Sequence, residues 1–152
     1  MTFVADLEKI LGVGLIADPD ITATYSRDQA LFAESTPAAA VLLARNTEQI
    51  SKALRFCSER NIPVVTRGAG SGLSGGANAD SESLVISLEK MNQILEIDIE
   101  NQIAHVQAGV VNVDLDTAVK DPSFIIPRWR PRMGRSAFRT AAGSALLRAA
   151  SA

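Results

Sequence analysis

Apolar positions change period several times along the first 120 residues, and each change marks an element. Ile50, Ala53, Leu54 and Cys57 follow the i, i+3, i+4, i+7 spacing of one helical face, which predicts an amphipathic helix running to about Arg60. Asn46 stands at its start with Gln49 three residues on, a pair suited to a capping box. Residues 3–11 predict a shorter amphipathic helix that stops near Gly12. The apolar run at residues 40–44 reads instead as a buried strand, residues 62–65 as an apolar strand and residues 84–88 as another strand. Residues 94–99 and 102–108 alternate apolar and polar positions across Glu100-Asn101. That is the pattern of a β-hairpin with one wet face, where Glu96 and Asp98 fall. A turn is expected around residues 90–92, and a short helix capped by Asn112 or Asp114 and running through Val119. Residues 17–37, punctuated by Asp18-Pro19-Asp20 and Ser35-Thr36-Pro37, read as loop and turn. Strands and helices mixed in layers predict the α+β class.

Composition adds a few exclusions. A chain of 152 residues with 47% hydrophobic content is long enough for one domain with a real core. No apolar run reaches the roughly 18 residues a membrane-spanning helix needs. Asp6, Glu8 and Lys9 interrupt the first apolar stretch, so it is not expected to be a secretory signal. Cys57, the single cysteine, excludes an internal disulfide, and its place on the helical stripe marks it as a small core residue. His105, the single histidine, lies in a strand pattern and reads as structural rather than as a base or ligand. No His/Cys/Asp/Glu set has metal-ligand spacing, and nothing is arranged as a Ser–His–Asp triad. No metal is therefore expected in the chain.

The chemistry concentrates in one loop. The strand at 62–65 runs directly into Thr66-Arg67-Gly68-Ala69-Gly70-Ser71-Gly72-Leu73-Ser74-Gly75-Gly76-Ala77. Glycine admits positive φ and has no side chain to block a ligand's approach to the backbone. Successive bare N–H groups in such turns form nests for anions, and hydrogen bonds to a charged phosphate are worth roughly 1.5–3 kcal/mol each. The loop is a candidate phosphate or pyrophosphate cradle, with a plain flexible hinge as the bland alternative. Gly70-Ser71-Gly72-Leu73-Ser74-Gly75 also fits the G-x-G-x-x-G dinucleotide fingerprint. That motif needs a helix opening at its last glycine, and the polar residues 76–83 followed by a strand do not offer one. A nucleotide P-loop would need Gly-Lys-Ser/Thr, and the loop holds no lysine.

Taken with its flanks, the loop resembles the pyrophosphate loop of FAD-linked oxidases of the vanillyl-alcohol oxidase and p-cresol methylhydroxylase (PCMH) type. The branch it is most similar to holds the glycolate oxidase flavin subunit and D-lactate dehydrogenase. Tyr25-Ser26-Arg27-Asp28, the segment 88–98 and His105-Val106-Gln107-Ala108-Gly109-Val110 resemble further family elements in the same order, so the likeness covers about residues 20–120. It implies the first subdomain of a PCMH-type FAD-binding domain, a small sheet with flanking helices. It implies that Arg67, Gly68, Ala69, Gly70, Ser71, Gly72, Gly75 and Gly76 bind FAD, with Arg67 either facing phosphate or pinning the loop. Ser71 stands where some relatives attach the flavin through histidine, which implies noncovalent FAD. The implied reaction is oxidation of a 2-hydroxy acid to a 2-oxo acid, with other subunits of an oxidase complex as partners. The implied location is the cytoplasm, at the inner membrane face through those subunits. Substrate-binding and acid–base residues belong to a later domain of the family, so this chain alone is expected to be an inactive, truncated fragment. A stand-alone flavin module that completes its site with a partner subunit is the alternative.

The chain accordingly divides into 1–36, a helix and lead-in; 37–120, the FAD-binding subdomain with its loop at 67–77; and 121–152, an atypical tail. Residues 1–120 carry nine basic and sixteen acidic side chains, whereas 121–152 carry six arginines and only Asp121. An arginine-rich tail suits nucleic acid in principle, but the acidic remainder weighs against it and no nucleic-acid partner is expected. Codons for Ile125-Ile126-Pro127-Arg128 can be read out of frame as Tyr-Pro-Pro, the family's next motif. A frameshift near residue 121 is the expectation for the tail.

Overall fold

The computed structural model of the chain describes residues 3–101, 103–119 and 145–148. In chain order the elements are α1 (Phe3–Leu11), α2 (Pro19–Tyr25), β1 (Ala40–Leu43), α3 (Thr47–Arg60), β2 (Val64–Arg67) and β3 (Leu84–Ser87). There follow β4 (Ile94–Asp98), β5 (Ile103–Val106), α4 (Asn112–Ala118) and β6 (Ala145–Arg148).

Strands β1, β2 and β3 form a parallel sheet in the order β1-β3-β2, with Val41 and Val65 both in register with Val85. Side chains alternate across a strand, so this sheet has two apolar faces. Ala40, Leu42, Leu84 and Ile86 pack under α1 and α3 with Leu7, Leu11, Ala53, Phe56 and Cys57. Val41, Leu43, Val65 and Val85 pack on the other side with Ile16, Tyr25, Ala38 and Ala79. Burial on both faces is why these strands read as continuous hydrophobic runs rather than alternating ones. The crossover from β2 to β3, residues 68–83, contains no helix. α2 and the stretch after it help to cover that face instead.

The hairpin β4–β5 extends through β6 into a second, antiparallel sheet. Ala104, Val106, Ile94 and Ile97 face α4 and its flanks, meeting Val110, Leu115 and Val119. The two sheets meet at Gly109. Its N–H donates to the Met91 carbonyl at 2.7 Å, and a Cβ at this position would overlap the Leu88 carbonyl oxygen. Only a glycine fits so close to another stretch of backbone.

Several expectations need correction. Residues 17–37 are not wholly loop: Asp18 caps α2, its side chain accepting from Asp20 N–H, and Pro19 opens the helix. A proline is well placed there because a first-turn N–H has no helical partner anyway. Leu54 is 43% exposed, while Phe56, outside the predicted stripe, is buried. Strand β2 starts two residues later than expected. Helix α4 is capped by Val111, without a side-chain bond, rather than by Asn112 or Asp114. A bulge between Ile94 and Glu96 changes the phase of β4, so Ile94 and Ile97 share a face and Leu95 is left exposed. Strand β6 was not expected at all; the frameshift and tail readings for 121–152 otherwise lie outside the described residues.

Candidate functional site

Arg67 closes β2 and stands in register with Ser87 at the end of β3. By alternation it projects to the same face as Val65, and its guanidinium lies over the Tyr25 ring, 5.8 Å from the centroid. It also donates to the Arg27 carbonyl. Burial lowers its pKa from the ordinary arginine value, while Tyr25, Asp28 and Glu89 pull the other way. The loop then folds back over this group. Gly70 has φ +69°, and a Cβ there would collide with the Arg67 guanidinium. These are pinning contacts: the guanidinium is a floor for the loop.

The segment after α2 fastens the rest. Ser26 Oγ donates to the Thr22 carbonyl and accepts from Ala38 N–H, and the Ser26 carbonyl accepts from Ala79 N–H. Gln29 N–H donates to the Gly72 carbonyl at 2.8 Å. Asn78 Oδ1 accepts from Asp28 N–H at 2.9 Å, and its Nδ2 donates to the Ala33 and Glu34 carbonyls. Asp28 Oδ1 accepts from Ala30 N–H, and its Oδ2 faces Ala77 N–H at 3.5 Å.

With the loop so held, the backbone N–H groups of residues 68–76 donate to no described residue. Ala69, Gly72, Leu73, Ser74 and Gly76 are exposed, and Gly68, Gly70, Ser71 and Gly75 half-buried. A run of uncommitted amides on a fixed, glycine-lined turn is chemically a nest for a diphosphate. The residues present therefore fit the pyrophosphate of a dinucleotide cofactor. Ser87 Oγ, buried beneath the same face, has no partner among the described residues.

All eight cofactor residues expected from the sequence fall in this one loop and the strand end beneath it. Asn78 and the fastening role of Asp28 were missed. Asp28 carried a signal as part of the Tyr-x-x-Asp element, but nothing local ties Asn78 to a residue fifty positions earlier. Cys57 is buried and its thiol pKa is pushed up by burial, against the pull of Arg60, which suits an inert core residue. His105 is exposed on β5 opposite Glu96. Among the described residues there is no cluster able to hold a metal ion, and no helix is long and apolar enough to cross a membrane.

A parallel three-stranded sheet whose glycine-rich crossover offers amides uncommitted among the described residues, joined to an antiparallel sheet, defines a mixed α+β class of domain fitted to a diphosphate-bearing cofactor. The comparisons agree: the FAD binding domain family matches residues 38–130, and the chain belongs to it. Its cofactor is FAD. The chain is 44% identical over 103 residues to the glycolate oxidase subunit GlcD of Bacillus subtilis, covering 68% of this chain and 22% of that protein. It is 46% identical over 78 residues to a D-lactate dehydrogenase of Archaeoglobus fulgidus, covering 51% of this chain and 17% of that one. Among solved structures, p-cresol methylhydroxylase with bound substrate superposes with a TM-score of 0.66 at 24% identity, over 77% of this chain and 24% of that one. That likeness shows the PCMH-type fold. The chain thus spans about a fifth of the length of these curated relatives.

Proposed function

We propose that the chain binds FAD noncovalently through Arg67, Gly68, Ala69, Gly70, Ser71, Gly72, Gly75 and Gly76, as the cofactor-binding part of an oxidoreductase acting on a 2-hydroxy acid. The observation that carries this reading is the run of uncommitted amides at 68–76 above a pinned arginine. Bound FAD would supply the redox chemistry for a two-electron oxidation of a 2-hydroxy acid to a 2-oxo acid. The chain's own residues bind and orient: loop amides and the Ser71 hydroxyl face the pyrophosphate, and the Arg67 guanidinium holds the turn. The glycolate and D-lactate relatives suggest the substrate class, and the name of the Bacillus relative, a subunit, suggests other polypeptides as partners. Turnover requires residues outside the stretch this chain shares with those relatives. The reading puts the chain in the cytoplasm, reaching the inner membrane face only through partner subunits, with no nucleic acid involved.

Titrating the purified chain with FAD, followed by flavin fluorescence, should give one cofactor per chain that is fully released on denaturation. Adding glycolate or D-lactate with a dye acceptor should reduce no dye. Absence of FAD binding would overturn the site. Flavin that stays attached after denaturation would overturn the noncovalent assignment, and dye reduction would overturn the division of labour.

A further inference from the structure

The loop that offers its amides cannot hold itself in place. Among the described residues, no N–H across 68–76 is spent on another group of the chain, and ordering each such residue costs about 1–2 kcal/mol of backbone entropy. Something outside must set the shape of the cradle before a ligand arrives. Arg67 supports its floor. At its mouth stand two side chains, Asp28 and Asn78, to which the sequence alone assigns no role in the loop.

We propose that Asp28 and Asn78 form a clamp that positions the cofactor cradle, acting through the loop and not by touching FAD. Three observations lead there. Asn78 uses both ends of its amide: Oδ1 accepts from Asp28 N–H at 2.9 Å, and Nδ2 donates to the Ala33 and Glu34 carbonyls at 3.0 and 3.2 Å. An aspartate of the same shape keeps the acceptor but sets charge against two carbonyl oxygens. Asp28 in turn holds Ala30 N–H with one oxygen and faces Ala77 N–H, next to Asn78, with the other. That second oxygen lies 2.9 Å from where a Cβ on Gly72 would sit, so the carboxylate fills the space the missing side chain leaves. The third observation is one of sign. A carboxylate beside an anion cradle repels a phosphate, so Asp28 has an architectural place there and not a liganding one. Preorganising donors in this way raises affinity by removing the ordering cost from the binding step.

The inference rests on the FAD reading, and the test separates the two. In the full chain, Asn78→Ala, Asn78→Asp, Asp28→Ala, Asp28→Asn and the double Ala variant are titrated with FAD. Hydrogen exchange of residues 68–79 and of α3 is measured without FAD. The expected result is roughly a tenfold or greater loss of affinity for Asn78→Ala and Asp28→Ala, the size of one or two lost hydrogen bonds. The double variant should lose more than either single one, because the Asp28 backbone N–H that Asn78 Oδ1 accepts from survives in Asp28→Ala. Asp28→Asn, which keeps an acceptor and loses the charge, should recover most of the affinity. Loop exchange should quicken in the Ala variants while α3 stays protected. If Asn78→Ala does not fold, Asn78→Asp carries the same comparison. Wild-type affinity with unchanged loop exchange would overturn the clamp. So would tighter FAD binding by both Asp28 variants, which would leave the carboxylate as mere repulsion. If the wild-type chain binds no FAD, the functional reading fails. The clamp is then decided by exchange alone: quickened loop exchange supports it and unchanged exchange overturns it.

Discussion

At the scale of single residues, carboxylates in this chain spend their charge on turns. Asp98 accepts from the side chain and backbone of Asn101 across the β4–β5 turn, which lowers its pKa. Asp80 is lowered chiefly by the Ser83 hydroxyl and then by Glu82 N–H. A folded pKa below the unfolded one contributes stability that is fully present above the unfolded value, near 3.8, and is lost as pH falls through the folded value. The effect therefore lies below about pH 4, and it is small because both carboxylates reach water. Urea midpoints at pH 5 and pH 3 should fall less in Asp98→Asn than in the parent chain; equal falls would show that this turn takes no part. Such Asx turns are local; of the two carboxylates expected on the wet face, Glu96 is exposed and Asp98 half-buried. Asn78 was not legible for the opposite reason: its partners lie at positions 28, 33 and 34.

At the scale of elements, α3 shows where periodicity succeeds and where it blurs. Its start was readable: Asn46 accepts from Gln49 N–H, and Gln49 Oε1 reaches back to Arg45 N–H, one residue before the residue a capping box would use. Its end follows from Asn61 in the left-handed region at φ 54°, with Ile62 N–H donating to the Cys57 carbonyl. The apolar arc is wider than four positions, though, and the sheet beneath decides which edge is buried. Phe56 is 2% exposed and Leu54 43%. Phe56→Ala should cost about 3–5 kcal/mol and Leu54→Ala under about 1 kcal/mol, read from chemical denaturation. Comparable losses would mean the helix is rotated from its described face. The β4 bulge is a similar case: strict alternation puts Ile94 with Glu96, and one extra residue moves it to the α4 side.

At the scale of the whole molecule, two sheets of different type share one join. Met91 and Ala108 belong to the core under α1 and α3, whereas Val106 and Val110 belong to the hairpin core, and Gly109 lies between them against Leu88 and Met91. Gly109→Ala forces a methyl into the Leu88 carbonyl, so it should cost about 2–3 kcal/mol and lower the melting point of the entire chain. A loss confined to the hairpin, with α3 amides still protected from exchange, would mean the sheets unfold separately. Gly109 was legible only as part of a Val-x-Ala-Gly-Val strand end, and its packing reason appears only where two strands distant in sequence meet. The sequence by itself determined the α+β class, the burial of β1, the hairpin and the glycine loop. Those follow from periodicity and backbone freedom, which act over a few residues, whereas the eight candidate FAD residues come from the loop's resemblance to a family. The tertiary structure alone decided the strand order β1-β3-β2, the face of α3 that is buried, the floor role of Arg67 and the Asp28–Asn78 fastening. These depend on hydrogen bonds and packing between segments twenty to fifty residues apart, whose pairing no local pattern encodes.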